Sequence, residues 1–248
     1  MIEKYLSNLG YFLKEDQWLS GILRYDVWEI VEKKNKQKKE FDSSQKSFLY
    51  AKIPVTKISS ISKLSELGFI PIETLVNFRG DLLNDPEIIN LNQIRFAKEK
   101  DLSDVANIAL NNFSHSRFHN DPNILNSIAN KIKKEWITNF FYKKRGDELV
   151  VVEINKKVRG FLLLFWNKTN ELTIDLLCVD KKFQNKGLAR KMIKFASKNF
   201  SFKKKNPLIF KVGTQINNFS SIKLYQRLGL KLNALKICLH LHRNKKIK

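Results

Sequence analysis

From about residue 92 onward, apolar and polar residues alternate or recur at helical spacing along most of the chain. Spacings near 3.6 residues predict two helices, Leu102–Phe113 and about Ile124–Phe141, after a short strand at Gln93–Phe96. Three apolar runs joined by short polar turns then predict an antiparallel meander; they are Leu149–Ile154, Val158–Trp166 and Leu172–Val179.

The pattern continues as helix, strand, helix, strand. These elements are Gly187–Phe200, Leu208–Val212, a helix ending at Leu228–Gly229, and Lys231–His242. We therefore expect an α/β fold with a mixed, mostly antiparallel sheet flanked by helices. Residues 91–248 are predicted to form this domain, with a basic tail after the last strand.

Residues 1–90 are predicted to form a smaller α/β domain. Its strands are expected at Ile22–Val31 and Ser47–Ile53, on either side of a lysine-rich solvated loop at residues 32–39. The segment Ser59–Gly68 aligns at a constant offset with Ser220–Gly229, matching at both Ser, the Ile, the Leu and the Gly. This match indicates either a partial internal repeat of one fold or two helices that share a Leu-Gly C-terminal cap.

Composition adds limits to this outline. The 248 residues are 43% apolar, enough for a real core, and 46 basic against 24 acidic residues give a net charge of +22. Lysines are spread along the whole chain, as a general compositional bias would produce. Phosphate-bearing ligands are the next explanation, and binding to nucleic acid is disfavoured because basic and aromatic residues do not cluster.

The two cysteines, Cys178 and Cys238, fall in apolar strand-like runs and are expected to be buried and reduced. Neither they nor the four histidines show metal-ligand spacing, so we predict no metal. The N-terminal residues lack the apolar core of a signal peptide, and the longest strongly apolar run, Phe161–Trp166, is far too short to span a bilayer. A cytoplasmic protein without membrane insertion is expected.

A Gln-Asn-Lys-Gly-Leu-Ala turn lies directly between a predicted strand and a predicted helix. The first N–H groups of a helix lack partners within the helix and carry partial positive charge, and a glycine lets phosphates approach the backbone. We therefore predict a pyrophosphate site at this turn, with Lys186 and Arg190 either adding charge or remaining simple solvated surface. Its candidate residues are Gln184, Asn185, Lys186, Gly187, Leu188 and Ala189.

This turn, the following strand, and Thr214-Gln215-Ile216-Asn217-Asn218 ahead of a helix with Tyr225 resemble the GCN5-related N-acetyltransferase (GNAT) superfamily. The resemblance implies that acetyl-CoA is the co-substrate and that the strand before the turn separates from its neighbour. That separation would expose backbone to the pantetheine arm and leave an N–H for the thioester oxygen. Leu177 and Val179 are the expected pantetheine contacts, and Asn218 is a further expected coenzyme contact.

Tyr225 is the predicted catalytic residue. It lies seven positions after Asn218, so both fall on one face of the helix. A phenol with a pKa of about 10 is protonated at neutral pH and can protonate a departing thiolate. The alternative is a tyrosine that only packs in the core.

The loop Ser114–Pro122 is the second candidate. Arg117 suits bidentate contact with phosphate, Phe118 suits stacking, and His119 suits a hydroxyl or amine. Ser116 completes the expected substrate-binding set. The alternative is a helix-capping loop with an Asp-Pro turn. His240 and His242 alternate on the last strand and are expected to be structural or exposed.

The Ser-Arg-Phe-His-Asn-Asp-Pro string, with Thr214-Gln215 and Leu67–Thr74, resembles the TDP-fucosamine acetyltransferase group. This implies acetylation of the 4-amine of a dTDP-4-amino-4,6-dideoxyhexose, a nucleotide sugar used for surface polysaccharide. The chain departs from the pattern at three positions: Gln184 replaces Arg, Ala189 replaces Gly and Leu230 replaces Phe. His119, His115 or a chain of waters is the expected base, and a homodimer is compatible with this assignment.

Two alternatives remain open at this point. One is an N-acetyltransferase for another amine, such as a protein N-terminus or a polyamine. The other is an inactive module of the same fold that binds nucleic acid.

Overall fold

The structure is a computed structural model and describes residues 2–32, 40–82, 91–168, 170–201 and 208–244. The chain divides into two compact units. Unit 1 comprises Met1–Leu75, Arg117–Ile128 and Leu235–Lys248; unit 2 comprises Val76–Ser116 and Ala129–Ala234. The predicted boundary after residue 90 lies at the edge of a segment outside the described residues, and it stays a prediction. So do the lysine-rich loop and the basic tail, at residues 33–39 and 245–248.

Unit 1 is built on the strand order β1-β2-β3-β10-β4. β2 runs antiparallel to β1 and parallel to β3, and β10 is antiparallel to β3. The strands are β1 (Phe12–Glu15), β2 (Asp26–Val31), β3 (Ser47–Pro54), β4 (Ile70–Gly80) and β10 (Lys231–Arg243), and the helices are α1 (Ile2–Asn8), α2 (Gln17–Leu23) and α3 (Ile58–Glu66). β4 and β10 each contribute residues to both units.

One predicted strand in unit 1 starts later than expected. Ile22 and Leu23 belong to α2 because Asp16 caps this helix by accepting a hydrogen bond from the Leu19 N–H at 3.0 Å. The helix ends at Arg24, which adopts a left-handed φ of 65°. The predicted strand Ile22–Val31 is therefore wrong at its beginning, and β2 starts at Asp26.

Unit 2 has the strand order β4-β9-β8-β7-β6-β5. The strands β5 to β8 pair antiparallel in succession, which confirms the predicted meander, and β8 pairs in parallel with β9. Its strands are β5 (Ile94–Phe96), β6 (Glu148–Ile154), β7 (Lys157–Lys168), β8 (Glu171–Val179) and β9 (Ile209–Gln215), and its helices are α4 (Leu102–Asn112), α5 (Asn126–Phe141), α6 (Leu188–Ser201) and α7 (Phe219–Arg227).

Each unit has its own apolar core. In unit 1, Trp28, Leu49 and Leu64 are fully buried in one cluster with residues of α1, β1 and β10. In unit 2, α4 and α5 pack Val105 and Ile137 against Phe161 of β7, in a cluster that also contains Leu176 and Cys178 of β8. The mixed, mostly antiparallel sheet flanked by helices is confirmed. Among the helices of the described residues, none is long and apolar enough to cross a bilayer.

The two aligned segments have the same local structure. α3 and α7 each follow a strand, end in a glycine with φ of 91° or 92°, and lead into another strand. In both caps the residue after the glycine donates its N–H to a carbonyl of the helix, Phe69 to Leu64 at 3.1 Å and Leu230 to Tyr225 at 3.0 Å. A shared cap would explain the glycines but not the matching strands on either side. The geometry supports the partial repeat, which stays a proposal.

Candidate functional site

Strands β8 and β9 separate partway along their length. They pair in parallel from Glu171 and Ile209 to Ile174 and Val212, and the pairing ends there although β8 continues to Val179 and β9 to Gln215. All residues of both strands are described, so the second half of β8 has no ladder partner on the β9 side. Its backbone polar groups on that side can therefore pair with a ligand.

The side chains of this free segment differ in burial. Leu176 and Cys178 lie in the unit 2 core, whereas Leu177 is half-buried. Burial raises the pKa of the Cys178 thiol to about 12, so this cysteine is not a thiolate at neutral pH. Val179, the other predicted pantetheine contact, is 9% exposed and ends the strand.

A tight turn follows β8 and is held at both ends. The Asp180 carboxylate accepts a hydrogen bond from the Lys182 N–H at 3.1 Å, and the Asp180 N–H donates to the Arg159 carbonyl at 2.8 Å. The side-chain amide nitrogen of Gln184 donates a hydrogen bond to the Val179 carbonyl at 2.9 Å, which closes the turn. The Phe183 ring lies beneath two cations, the Arg159 guanidinium at 4.6 Å and the Lys186 ammonium at 5.1 Å.

Helix α6 begins directly after this turn. The Lys191 N–H donates to the Gly187 carbonyl at 3.0 Å, and the Leu188 and Ala189 N–H groups lie in the first turn, where a helix provides no acceptor four residues earlier. Asn185 and Gly187 adopt left-handed φ values of 61° and 72°, which bend the chain into the helix. The residues Gln184 to Gly187 are exposed, whereas the Leu188 side chain is buried and Ala189 is half-buried. Leu188 can therefore offer a ligand its backbone N–H but not its side chain.

Tyr225 lies in the last turn of α7. Its side chain is 3% exposed and packs on Phe78 with ring centroids 5.9 Å apart. Burial raises the pKa of the phenol above its ordinary value, so it stays protonated at neutral pH. Asn218, seven residues earlier, caps α7: its side-chain oxygen accepts hydrogen bonds from the Ser221 N–H and the Ser220 hydroxyl.

The predicted substrate-binding residues fall on both sides of a unit boundary. Ser116 belongs to unit 2 and is buried, whereas Arg117, Phe118 and His119 belong to unit 1. The Arg117 guanidinium is stacked 3.9 Å from the Tyr50 ring and 4.2 Å from the Phe118 ring. Phe118 is only 1% exposed and His119 is half-buried. In this conformation Arg117 and Phe118 are core residues of unit 1, and their role in binding stays a prediction.

A buried polar network surrounds Arg117. The Asp121 carboxylate accepts hydrogen bonds from His240 at 2.6 Å and from His242 at 2.7 Å. The other nitrogen of His240 faces the Arg117 guanidinium at 3.1 Å and so acts as an acceptor. Burial and the nearby cation outweigh Asp121 and lower the pKa of His240 to about 4, which keeps it neutral at pH 7. The expectation that these histidines are structural agrees with this geometry.

Asp121, His240 and His242 place three potential metal-ligand atoms within 4.8 Å of one another. Mutual hydrogen bonds explain this grouping without an ion, and a buried guanidinium beside His240 opposes a bound cation. Cys238, whose sulfur lies 3.7 Å from His240, has its pKa raised by burial to about 11 and is protonated at neutral pH. The prediction of no metal stays a prediction.

Sequence reasoning missed two groups. One is Asp121 with Tyr50, which complete the network around His240 and Arg117. The other is Asp175, whose carboxylate on β8 is bound by Trp136 and Arg145. The available signal was an aspartate in the middle of an apolar strand, where this residue is depleted and needs a local partner.

Comparison with known proteins identifies the arrangement in unit 2. Residues 111–230 match the model of the acetyltransferase (GNAT) family, and this segment contains the separated strands, the turn before α6 and Tyr225. Over this segment the chain is of the GNAT acetyltransferase type. Acetyltransferases of this family use acetyl-CoA, and the free half of β8 with the open N-terminus of α6 fits the arm and diphosphate of that co-substrate.

Three known proteins are similar to this chain. It is 23% identical over 252 residues to the spore coat polysaccharide biosynthesis protein SpsD of Bacillus subtilis (strain 168), covering 91% of this chain and 84% of that protein. Two solved structures share the fold. A GCN5-related N-acetyltransferase from Sphaerobacter thermophilus has a TM-score of 0.54 at 11% identity, covering 83% of this chain and 63% of that one. A tandem GNAT protein from the clavulanic acid biosynthesis pathway has a TM-score of 0.51 at 10% identity, covering 79% of this chain and 64% of that one.

Proposed function

We propose that this acetyltransferase transfers the acetyl group of acetyl-CoA to the 4-amino group of a dTDP-linked 4-amino-4,6-dideoxyhexose used for surface polysaccharide. The observation that carries the proposal is the similarity to a polysaccharide biosynthesis protein across 91% of the chain, through both units. The resemblance of the Ser116–Pro122 segment to the TDP-fucosamine acetyltransferase group supports the choice of sugar.

In the proposed reaction the unprotonated sugar amine attacks the thioester carbonyl. A C–N bond forms, the C–S bond breaks, and the Tyr225 phenol donates its proton to the departing thiolate. The amine gives up its own proton to His119, His115 or a chain of waters. A free backbone N–H of β8 stabilises the oxyanion, and the amides at the start of α6, from Gly187 to Ala189, bind the diphosphate of the coenzyme.

Ser116, Arg117, Phe118 and His119 are the proposed contacts to the nucleotide sugar. Because Arg117 is stacked between Tyr50 and Phe118 and bonded to His240, it reaches a phosphate only after release from these partners. Binding by this segment therefore includes a local rearrangement of unit 1. The cytoplasmic location, the homodimer and the absence of nucleic-acid and membrane binding stay predictions within the same proposal.

A mass-spectrometric assay tests the substrate. The protein is incubated with acetyl-CoA and a panel of dTDP- and UDP-linked 4-amino-4,6-dideoxy sugars, with spermidine and a peptide as the other amines. The proposal expects a dTDP sugar to gain one acetyl group. Acetylation of the peptide or spermidine alone would refute the nucleotide-sugar substrate and favour an N-acetyltransferase for another amine. Transfer to none of the amines would refute the activity.

A further inference from the structure

The middle of β8 contains a backbone irregularity at the point where the strand leaves β9. In the pairing with β7, Leu163 lies opposite Leu176 and Leu164 lies opposite Ile174. Asp175 is therefore an extra residue that has no β7 residue opposite it. On the other side, the pairing with β9 ends at Ile174. Asp175 is therefore the position at which β8 changes its relation to both neighbouring strands.

The Asp175 side chain is held by three hydrogen bonds. The Trp136 indole N–H of α5 donates to one carboxylate oxygen at 2.8 Å, and Arg145 donates to both oxygens at 2.6 and 2.7 Å. The carboxylate is 8% exposed, and the Arg145 guanidinium also stacks 4.4 Å from the Trp136 ring. A bidentate, charge-assisted pair of this kind fixes orientation as well as position.

We propose that Asp175, bound by Trp136 and Arg145, is a positioning residue for acetyl transfer: it fixes the bulge that directs the free half of β8 toward the thioester. The inference rests on the proposed acetyl-transfer function and deepens it. A bulge re-aims the strand beyond it, and here the strand beyond it supplies Leu177, Val179 and the backbone N–H groups of the cleft. Misplacement of catalytic donors by about 1 Å is enough to lower turnover strongly.

The test variant is Asp175→Asn, which keeps the size of the side chain but cannot accept both Arg145 hydrogen bonds. Because the diphosphate site lies further along the chain, at residues 184–189, we expect kcat to fall at least tenfold while the Kd for CoA changes less than threefold. Arg145→Gln changes a more exposed residue and should act in the same direction, whereas Arg145→Lys, which keeps the charge, should recover part of the turnover.

A matched control lies on the same strand. Glu171 is 3% exposed and is paired with Arg79 at 3.0 Å and Lys211 at 2.6 Å, at the end of β8 that remains paired with β9. Glu171→Gln should lower the unfolding temperature to a similar degree and leave kcat unchanged. An equal loss of kcat in both variants, or full kcat per folded molecule in Asp175→Asn, would show that Asp175 is merely structural.

The wild-type protein separates this inference from the proposed function. If it transfers acetyl to no amine in the panel, the function fails, and the positioning role is decided by hydrogen exchange of residues 175–179 in the CoA complex. Asp175→Asn must then lose protection that Glu171→Gln keeps, and equal protection in both variants would overturn the role.

Discussion

Gly187 is needed at the start of α6 for its backbone conformation. Its φ is 72°, and an added Cβ would meet no atom within 4 Å, so conformation and not space is the constraint. We expect Gly187→Ala to cost about 1 kcal/mol of unfolding free energy. The substitution changes the direction of the N–H groups of the turn. The Kd of the variant for CoA in a calorimetric titration should therefore rise about tenfold, equivalent to about 1.4 kcal/mol.

Gly10 provides the control for this substitution. It lies in unit 1, has φ of 76°, and an added Cβ there would also meet no atom within 4 Å. Gly10→Ala should therefore lose a similar amount of stability and keep the wild-type affinity for CoA. If Gly187→Ala also binds CoA as the wild type does, the α6 N-terminus is not the diphosphate site.

The residues of the proposed coenzyme site could be selected from the sequence because they follow each other along the chain. A strand, a glycine turn and a helix start are local patterns, and the structure brings Gln184 to Ala189 to an exposed helix N-terminus as expected. The surroundings of Arg117 were not predictable in this way. Asp121 bonds to histidines 119 and 121 positions away, and no local pattern reports a contact of that range.

Among secondary-structure elements, those after residue 92 were predicted well because their hydrophobic periods are long and regular. β8 differs from its predicted bounds by one residue at its start, and α6 differs by one residue at each end. The elements of unit 1 were less clear since α1 and α2 have seven residues each, about two turns, which is too short for a clear period. The left-handed residue that ends α2 is Arg24 and not a glycine, so the sequence does not indicate where this helix ends.

The network between β10 and the Asp121 loop should make unfolding sensitive to acid. Burial lowers the pKa of His240 from 6.5 to about 4, so the unfolded chain takes up this proton first as the pH falls. The stabilisation is complete above pH 6.5 and declines toward pH 4. One such group accounts for about 2 kcal/mol between pH 6.5 and pH 5.

Urea unfolding at a series of pH values measures this effect. His240→Gln should flatten the dependence between pH 6.5 and pH 5 relative to the wild type. For Asp121, burial raises the pKa, but the hydrogen bonds from His240 and His242 lower it by more, so the pKa lies below its ordinary value of 3.8. The contribution of Asp121 to stability is therefore lost only as the pH falls below 3.8. An unchanged slope in His240→Gln would contradict the assignment of a buried neutral imidazole.

Considered as a pair, the two units differ in the strand separation that forms the proposed coenzyme site. In unit 1, β2 and β3 pair in parallel up to Ile30, one residue before β2 ends, whereas β8 leaves β9 halfway. Leu64 occupies the position that corresponds to Tyr225, so a repeat in unit 1 would lack both the cleft and the acid.

This difference predicts one coenzyme per chain. Calorimetric titration with acetyl-CoA should give a stoichiometry of one, and Leu64→Tyr should not raise it because the separated strands are still missing. A stoichiometry of two would mean that unit 1 keeps a working coenzyme site.

The central claim is that the Tyr225 phenol protonates the coenzyme A thiolate, and turnover of Tyr225→Phe tests it most directly. Tyr11→Phe is the matched control, since Tyr11 is also 3% exposed and lies in unit 1. We expect Tyr225→Phe to keep the wild-type Kd for CoA and to lose at least about 100-fold in kcat, the contribution typical of a general acid, while Tyr11→Phe keeps full turnover. Full turnover in Tyr225→Phe would contradict the account.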